Sequence, residues 1–266
     1  MACSSSCPSP DAAALNCKFG CPGVRVESGK GGLPKVCLCV DGSVAEVYLH
    51  GACITSWKPV GAATDLLFVR PDNDFKPPKP ISGGIPHCFP QFGPGKIQQV
   101  VLWPTKLNTH ITVQNTDSKP FEFSTALHSY FRAAISGVQV KGLQGCRFLT
   151  KDKVPLKGCE RRDSITFTGF YDCLYFNAPN SLQLDNGLGT TIGIHNHGWT
   201  DAVLWSPMDQ IASWREFVCV ENAVLDPVSL CPCGTWSAEQ ILCLTDYPSQ
   251  HVSSLRTSKS CSSLSC

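Results

Sequence analysis

The sequence predicts an all-β fold. Proline and glycine interrupt the chain every few residues, and no stretch of a dozen residues keeps a 3.6-residue apolar period. The segments that can be placed show a period of two instead. Leu107, Thr109, Ile111 and Val113 alternate with Asn108, His110 and Thr112, the pattern of a strand with one buried face. Asn115, Asp117, Ser118 and Pro120 supply the turn that follows. Phe121, Phe123 and Leu127 then share one face of the next strand, with Ser124, Ala126 and His128 on the other. In the run from Phe217 to Glu221, Phe217, Cys219 and Glu221 fall together and Val218 and Val220 lie opposite, so a carboxylate ends an apolar stripe. No repeat of solenoid or propeller period is present.

The 266 residues suffice for one large sandwich, and 22 Lys plus Arg against 21 Asp plus Glu leave a formal charge of +1. Such a balance provides no global field for nucleic acid or an anionic membrane, so any anion site is local. The longest apolar runs, Val100 to Trp103 and Phe217 to Val220, are far too short to span a bilayer. No nucleic-acid or membrane partner is expected. Seventeen cysteines are an odd number, and the first thirty residues hold no continuous apolar leader. Reduced thiols and a cytoplasmic location are therefore expected. Cys3-x3-Cys7 and Cys17-x3-Cys21 lack an accompanying histidine or CxxC pair, and no metal is expected. Residues 1–22, rich in Ser, Cys and Ala, and residues 247–266, dominated by Ser, are expected to be disordered tails flanking one domain at 23–246.

Glu221 is the most informative single residue. A carboxylate beside Cys219 and Phe217 is desolvated unless paired or open to a cleft, and desolvation raises its pKa toward the range of a general base; the alternative is a glutamate that caps a strand before Asn222. His128 stands on a face of small residues before Tyr130 and Phe131, with room for a ligand; the alternative is a core histidine with its hydrogen bonds satisfied. His195 and His197 could project together as metal ligands, but Gly198 follows at once and favours a loop. The segment Ile81 to Gly93 is dense in glycine and proline. Gly83 and Gly84 form either a bare backbone wall against which a sugar or phosphate can lie, or a tight turn between core strands. It has no Lys followed by Ser or Thr, which excludes a nucleotide phosphate loop.

The order of the motifs resembles that of the hexose-6-phosphate mutarotase branch of the aldose 1-epimerase family, its plant members in particular. The motifs are Val47-Tyr-Leu-His-Gly-Ala-Cys-Ile-Thr-Ser-Trp-Lys58, Gly83-Gly-Ile-Pro-His-Cys-Phe-Pro-Gln-Phe-Gly93, Ala126-Leu-His-Ser-Tyr-Phe131, Tyr171-Asp-Cys-Leu-Tyr175, Asp201-Ala-Val-Leu-Trp-Ser-Pro207 and Phe217-Val-Cys-Val-Glu-Asn-Ala223. The likeness spans about residues 24 to 245. It implies a galactose-mutarotase-like antiparallel β-supersandwich, a hexose 6-phosphate substrate held on the concave face of one sheet, and no metal or organic cofactor. A monomer is expected. By the same resemblance Glu221 is the base that takes the proton from the anomeric O1 hydroxyl, His128 the acid that protonates the ring oxygen, and Asp172 and Gln99 substrate-binding residues.

Two departures accompany the likeness. Relatives carry an arginine before Gly-Gly-Ile-Pro, where this chain has Ser82. Arg132, Arg70, Lys76 and Lys79 are candidates to replace that charge toward phosphate. Relatives also continue past the glutamine matching Gln99 through several strands that are absent here, where Gln99 runs directly into Val100-Val-Leu-Trp-Pro-Thr-Lys-Leu107. The sandwich is therefore expected to be incomplete, with exposed strand edges. The enzyme reading stands beside two others: a carbohydrate-binding or regulatory protein with impaired catalysis, and an epimerase of unphosphorylated aldoses.

Overall fold

The computed structural model describes residues 11–89 and 97–245. After a short helix α1 (Ala12–Phe19), the first half holds β1 (Val24–Ser28), β2 (Pro34–Val40), β3 (Ser43–Tyr48), β4 (Cys53–Lys58), β5 (His87–Cys88), β6 (Ile97–Leu102), β7 (Lys106–Gln114), β8 (Phe121–Leu127) and β9 (Tyr130–Arg132). The second half holds β10 (Val138–Lys141), β11 (Arg147–Thr150), β12 (Lys157–Cys159), β13 (Ser164–Ile165), β14 (Tyr171–Phe176), β15 (Ser181–Asn186), β16 (Thr191–His197), β17 (Asp201–Ser206), β18 (Phe217–Leu230) and β19 (Thr235–Leu244).

These strands form three antiparallel sheets. The first is the meander β1-β2-β3-β4; the second runs β13-β10-β15-β16-β19-β7-β6; the third runs β12-β11-β14-β17-β18-β8-β5, with β9 also on β18. The two large sheets face each other across a continuous apolar core. Ile111, Val113, Ile192, Ile194 and Leu242 come from one sheet, Phe123, Leu127, Tyr175, Leu204, Val218 and Val220 from the other, and Ala45, Ile54 and Trp57 of the meander join the same cluster. The predicted alternation is realised: Leu107, Thr109, Ile111 and Val113 are buried on β7, and Phe123 and Leu127 on β8. On β18, Val218 and Val220 enter the main core, while Phe217 and Cys219 pack on the opposite face with Phe68 and Tyr130.

Two expectations change, and one open alternative is decided. Within the segment expected to be a disordered tail, residues 12–19 are helical: Asp11 caps the helix by accepting from the Ala13 N–H, and Asn16 Oδ1 accepts from the Val26 N–H at 2.8 Å, tying it to β1. Residues 1–10 and 247–266 lie outside the described residues. His195 and His197 stand on β16, opposite Ile241 and Glu239 of β19, and not in a loop; His195 Nδ1 shares a hydrogen bond with Ser181 Oγ. Gly83 and Gly84 are buried against protein backbone. Gly84, at φ 67°, donates its N–H to the Phe68 carbonyl, and a Cβ there would collide with the Ile54 carbonyl oxygen, so the glycines let strands approach one another. No helix among the described residues is long and apolar enough to cross a membrane.

Candidate active site

Alternation along four neighbouring strands of the third sheet brings one set of side chains to its outer face. Ala126 and His128 come from β8 and its end, Glu221, Ala223 and Leu225 from β18, Val203 and Trp205 from β17, and Asp172 and Leu174 from β14. With Lys151, from the loop after β11, they line a cleft of about 220 Å³. Sheet order sets the sequence across this floor: Asp172, then Trp205, Glu221 and His128.

Glu221 and His128 meet at the centre. His128 Nε2 lies 3.4 Å from Glu221 Oε1. The imidazole stacks on Tyr130 with ring centres 4.6 Å apart and meets the edge of Trp205 at 5.6 Å, so two aromatic rings fix its plane. Its backbone N–H is held by the Pro86 carbonyl at 3.0 Å. Burial dominates the electrostatics of both groups. It pushes the Glu221 carboxyl up to about 8, helped by the Asp172 charge and opposed by Lys151. It pushes the His128 imidazole down to about 4, again with Lys151 contributing. Burial raises Asp172 too, against the nearby Lys151 ammonium, whose Nζ is 4.0 Å from Asp172 Oδ1. The Cys219 thiol, buried beside Glu221, is held well above its ordinary value and is a packing group.

A pair of this kind, 3.4 Å apart and holding a single proton over a broad pH range, can remove a proton from one oxygen and deliver one to another without net exchange with solvent. Of the predicted site residues, His128, Glu221 and Asp172 come together. Gln99 does not. It lies exposed on β6, opposite His110, because β6 joins β7 at the far edge of the second sheet, and it is not among the residues lining the cleft.

None of the four candidate phosphate cations lines the cleft. Arg132 faces a separate cavity of about 350 Å³ with Lys30 and Asp65, Lys79 is exposed in an ion pair with Asp74, and Lys76 is exposed. Arg70 is paired with Asp72; its backbone N–H donates to the Ser82 carbonyl at 3.1 Å, and its charge acts on Tyr130, the ring that stacks on His128. The cation that does reach the floor is Lys151, which sequence reasoning missed. Among the described residues one acidic and thiol cluster has metal-like spacing, Glu27, Cys37 and Glu46, and the Lys35 ammonium already contacts both carboxylates at 3.3 and 2.6 Å. Cys17 and Cys21 are exposed free thiols, and Cys3 and Cys7 lie outside the described residues.

Comparison with known proteins agrees with this architecture. The crystal structure of a provisionally named mutarotase from Salmonella typhimurium superposes with a TM-score of 0.70 at 22% identity, covering 87% of this chain and 99% of that one. A provisionally named glucose-6-phosphate 1-epimerase from Cenchrus ciliaris is 29% identical, covering 79% of this chain and 83% of its own length. One of the same name from Escherichia coli is 26% identical over 67% of this chain and 79% of its own. The Cenchrus alignment runs over 276 positions, more than this chain possesses, so part of it is gap opposite residues absent here. The sequence model of the aldose 1-epimerase family matches residues 34–99 and 102–243, two blocks that part immediately after Gln99, where sequence reasoning located the break. With the match spanning most of the chain and containing Glu221, His128 and Asp172, this protein belongs to the aldose 1-epimerase family.

Proposed function

We propose that this protein interconverts the α and β anomers of a hexose 6-phosphate, with Glu221 and His128 as the proton-transfer pair. The observation that carries the reading is their 3.4 Å approach on the cleft floor. The Glu221 carboxylate takes the proton from the anomeric O1 hydroxyl, the C1–O5 bond breaks as C1=O forms, and O5 takes a proton from the His128 imidazolium. The aldehyde turns about C1–C2. Ring closure on its other face returns each proton the opposite way. After ring opening the proton resides on the carboxyl and the imidazole is neutral, the distribution that burial favours. The two states are thus the two ends of one cycle. Sugar hydroxyls donating to the carboxylate favour its charged form and shift the balance toward the start of ring opening. Asp172 accepts hydrogen bonds from the sugar, and Lys151 stabilises its charge.

The phosphate is assigned to Arg70. With O5 at His128 and O1 at Glu221, C6, attached to the ring carbon next to O5, extends past His128, away from Asp172 and Lys151. That direction leads to the segment from Ser82 to Pro86, where Arg70 is the cross-strand neighbour of Ser82. Its pairing with Asp72 leaves guanidinium donors for an oxyanion but sets a carboxylate in competition for them. The substrate's phosphate is also supported by the names of the Cenchrus and Escherichia relatives.

The test is the anomerisation rate of freshly dissolved α-glucose 6-phosphate, followed by polarimetry or NMR exchange, for wild type and Glu221→Gln against a buffer blank. Acceleration in wild type that disappears in the variant is expected. A folded wild type no faster than the blank sinks the enzyme reading. The position of Gln99 off the cleft favours, as second reading, a sugar-binding protein with impaired turnover, for which calorimetry would detect binding without anomerisation.

A further inference from the structure

The proposed pair sits at a break in the sheet. On its β8 side, β18 pairs through Phe217, Val218 and Cys219 with β9, and resumes with Asn222, Ala223 and Val224 against β8. Glu221 falls between these two ladders, and His128 falls between the end of β8 and the start of β9. Regular ladder bonds therefore do not fix the spacing of the two groups where it matters most, although a misplacement of about 1 Å can cost about a hundredfold in rate.

Directly beneath them the apolar core contains a polar knot. Alternation on β19 turns Ala238, Gln240 and Leu242 inward, and Gln240 is 1% exposed. An amide so placed costs desolvation unless bonded, and a leucine or methionine would fill the same layer without that cost. Gln240 Nε2 donates to Asn222 Oδ1 at 2.8 Å and to Ser129 Oγ at 3.2 Å. Asn222 directly follows Glu221, and Ser129 directly follows His128. Both acceptors are buried, at 1% and 0% exposure, so where Glu221 and His128 face the cleft their successors face the core. The Ser129 carbonyl also accepts the Val220 N–H at 3.2 Å, joining the two segments from the strand side.

We propose that Gln240 is a positioning residue: reaching across the core from the opposite sheet, it holds the His128–Glu221 separation by gripping the residue that follows each. Its kinetic consequence rests on the mutarotase reading; its geometric consequence does not. The test replaces Gln240 with methionine, similar in length and at home in an apolar layer, and compares it with wild type by anomerisation kinetics and by an NMR titration of the His128 imidazole.

The variant is expected to lose about tenfold or more in kcat with KM for glucose 6-phosphate nearly unchanged, and its His128 titration is expected to move up toward the ordinary histidine range. Ser129→Ala, which removes one of the two bonds at small steric cost, should give part of both effects and add little to Gln240→Met. If Gln240→Met does not fold, Ser129→Ala alone decides by the same readouts. Wild-type kcat and an unmoved His128 titration in folded variants overturn the proposal, as does a kcat loss that merely tracks the unfolded fraction. Should wild type itself fail to anomerise, the mutarotase reading falls, and the His128 titration alone decides whether Gln240 positions the pair.

Discussion

Glu221 and His128 are displaced in opposite directions by the same burial, and this fixes their pH behaviour. Between about 4 and about 8 the pair holds one proton, so kcat/KM, which follows the ionisations of the free enzyme, should trace a bell with limits near those values, as apparent constants of the pair. Glu221→Gln should lower kcat by about 10² to 10⁴. The same residue should leave a mark on stability. Its folded pKa lies above the ordinary carboxyl value of 4.5, so the folded state binds this proton more tightly. That contribution is complete below 4.5 and is lost as pH rises through about 8, at up to about 1.4 kcal/mol per pH unit. Urea unfolding of Glu221→Gln should accordingly show a flatter decline than wild type across that window; parallel curves would contradict the buried, protonated carboxyl. For Arg70, the expected result is a KM for glucose 6-phosphate raised about ten- to a hundredfold in Arg70→Ala, with glucose unaffected, since a charge-assisted hydrogen bond is worth about 1.5 to 3 kcal/mol. Asp72→Asn should lower the same KM by freeing the guanidinium. Alternation places Glu221 and His128 on their faces, but only the family resemblance singles them out as base and acid. Lys151 was not legible: it follows Thr150 out of a strand, and only the Lys151 N–H bond to the Asp172 carbonyl brings it over the cleft.

At the scale of elements, legibility followed burial on one side. β7 and β8 were readable because the core covers a single face of each, leaving a clean period of two. β16 was not, because Ile192, Gly193 and Ile194 are all buried and the histidines that end it precede a glycine, which resembles a turn when read locally. The helix α1 buries no residue and so carries no apolar stripe to announce it. Gly83 and Gly84 were readable as a place of close approach but not for what approaches. Because both have positive φ, 122° and 67°, and face backbone within the sandwich, Gly84→Ala should destabilise the fold by about 1 to 3 kcal/mol or more, read as a lowered urea midpoint at unchanged slope. A neutral substitution would show that these strands can separate without cost.

At the scale of the whole molecule, one core joins all three sheets, with Trp57 of the meander and Trp199 beside β17 buried in the same cluster. Far-UV circular dichroism and tryptophan fluorescence should therefore report one coincident unfolding transition, and separated midpoints would indicate that the meander melts independently. The sandwich itself was legible from composition and period. The place of the junction was not, because the departure after Gln99 gave no hint of where in space the chain resumes. The structure places that junction on β6, the outermost strand of its sheet, while Glu221 lies on β18, flanked on both sides by other strands. An outermost strand forms ladder bonds along one side only, so whole strands can be gained or lost beyond it while every interior hydrogen bond is kept. The molecule thus has an inner territory where length is fixed by neighbours and an outer margin where it is not, and descent can trim the margin of such a protein while leaving the chemistry at its centre under separate selection.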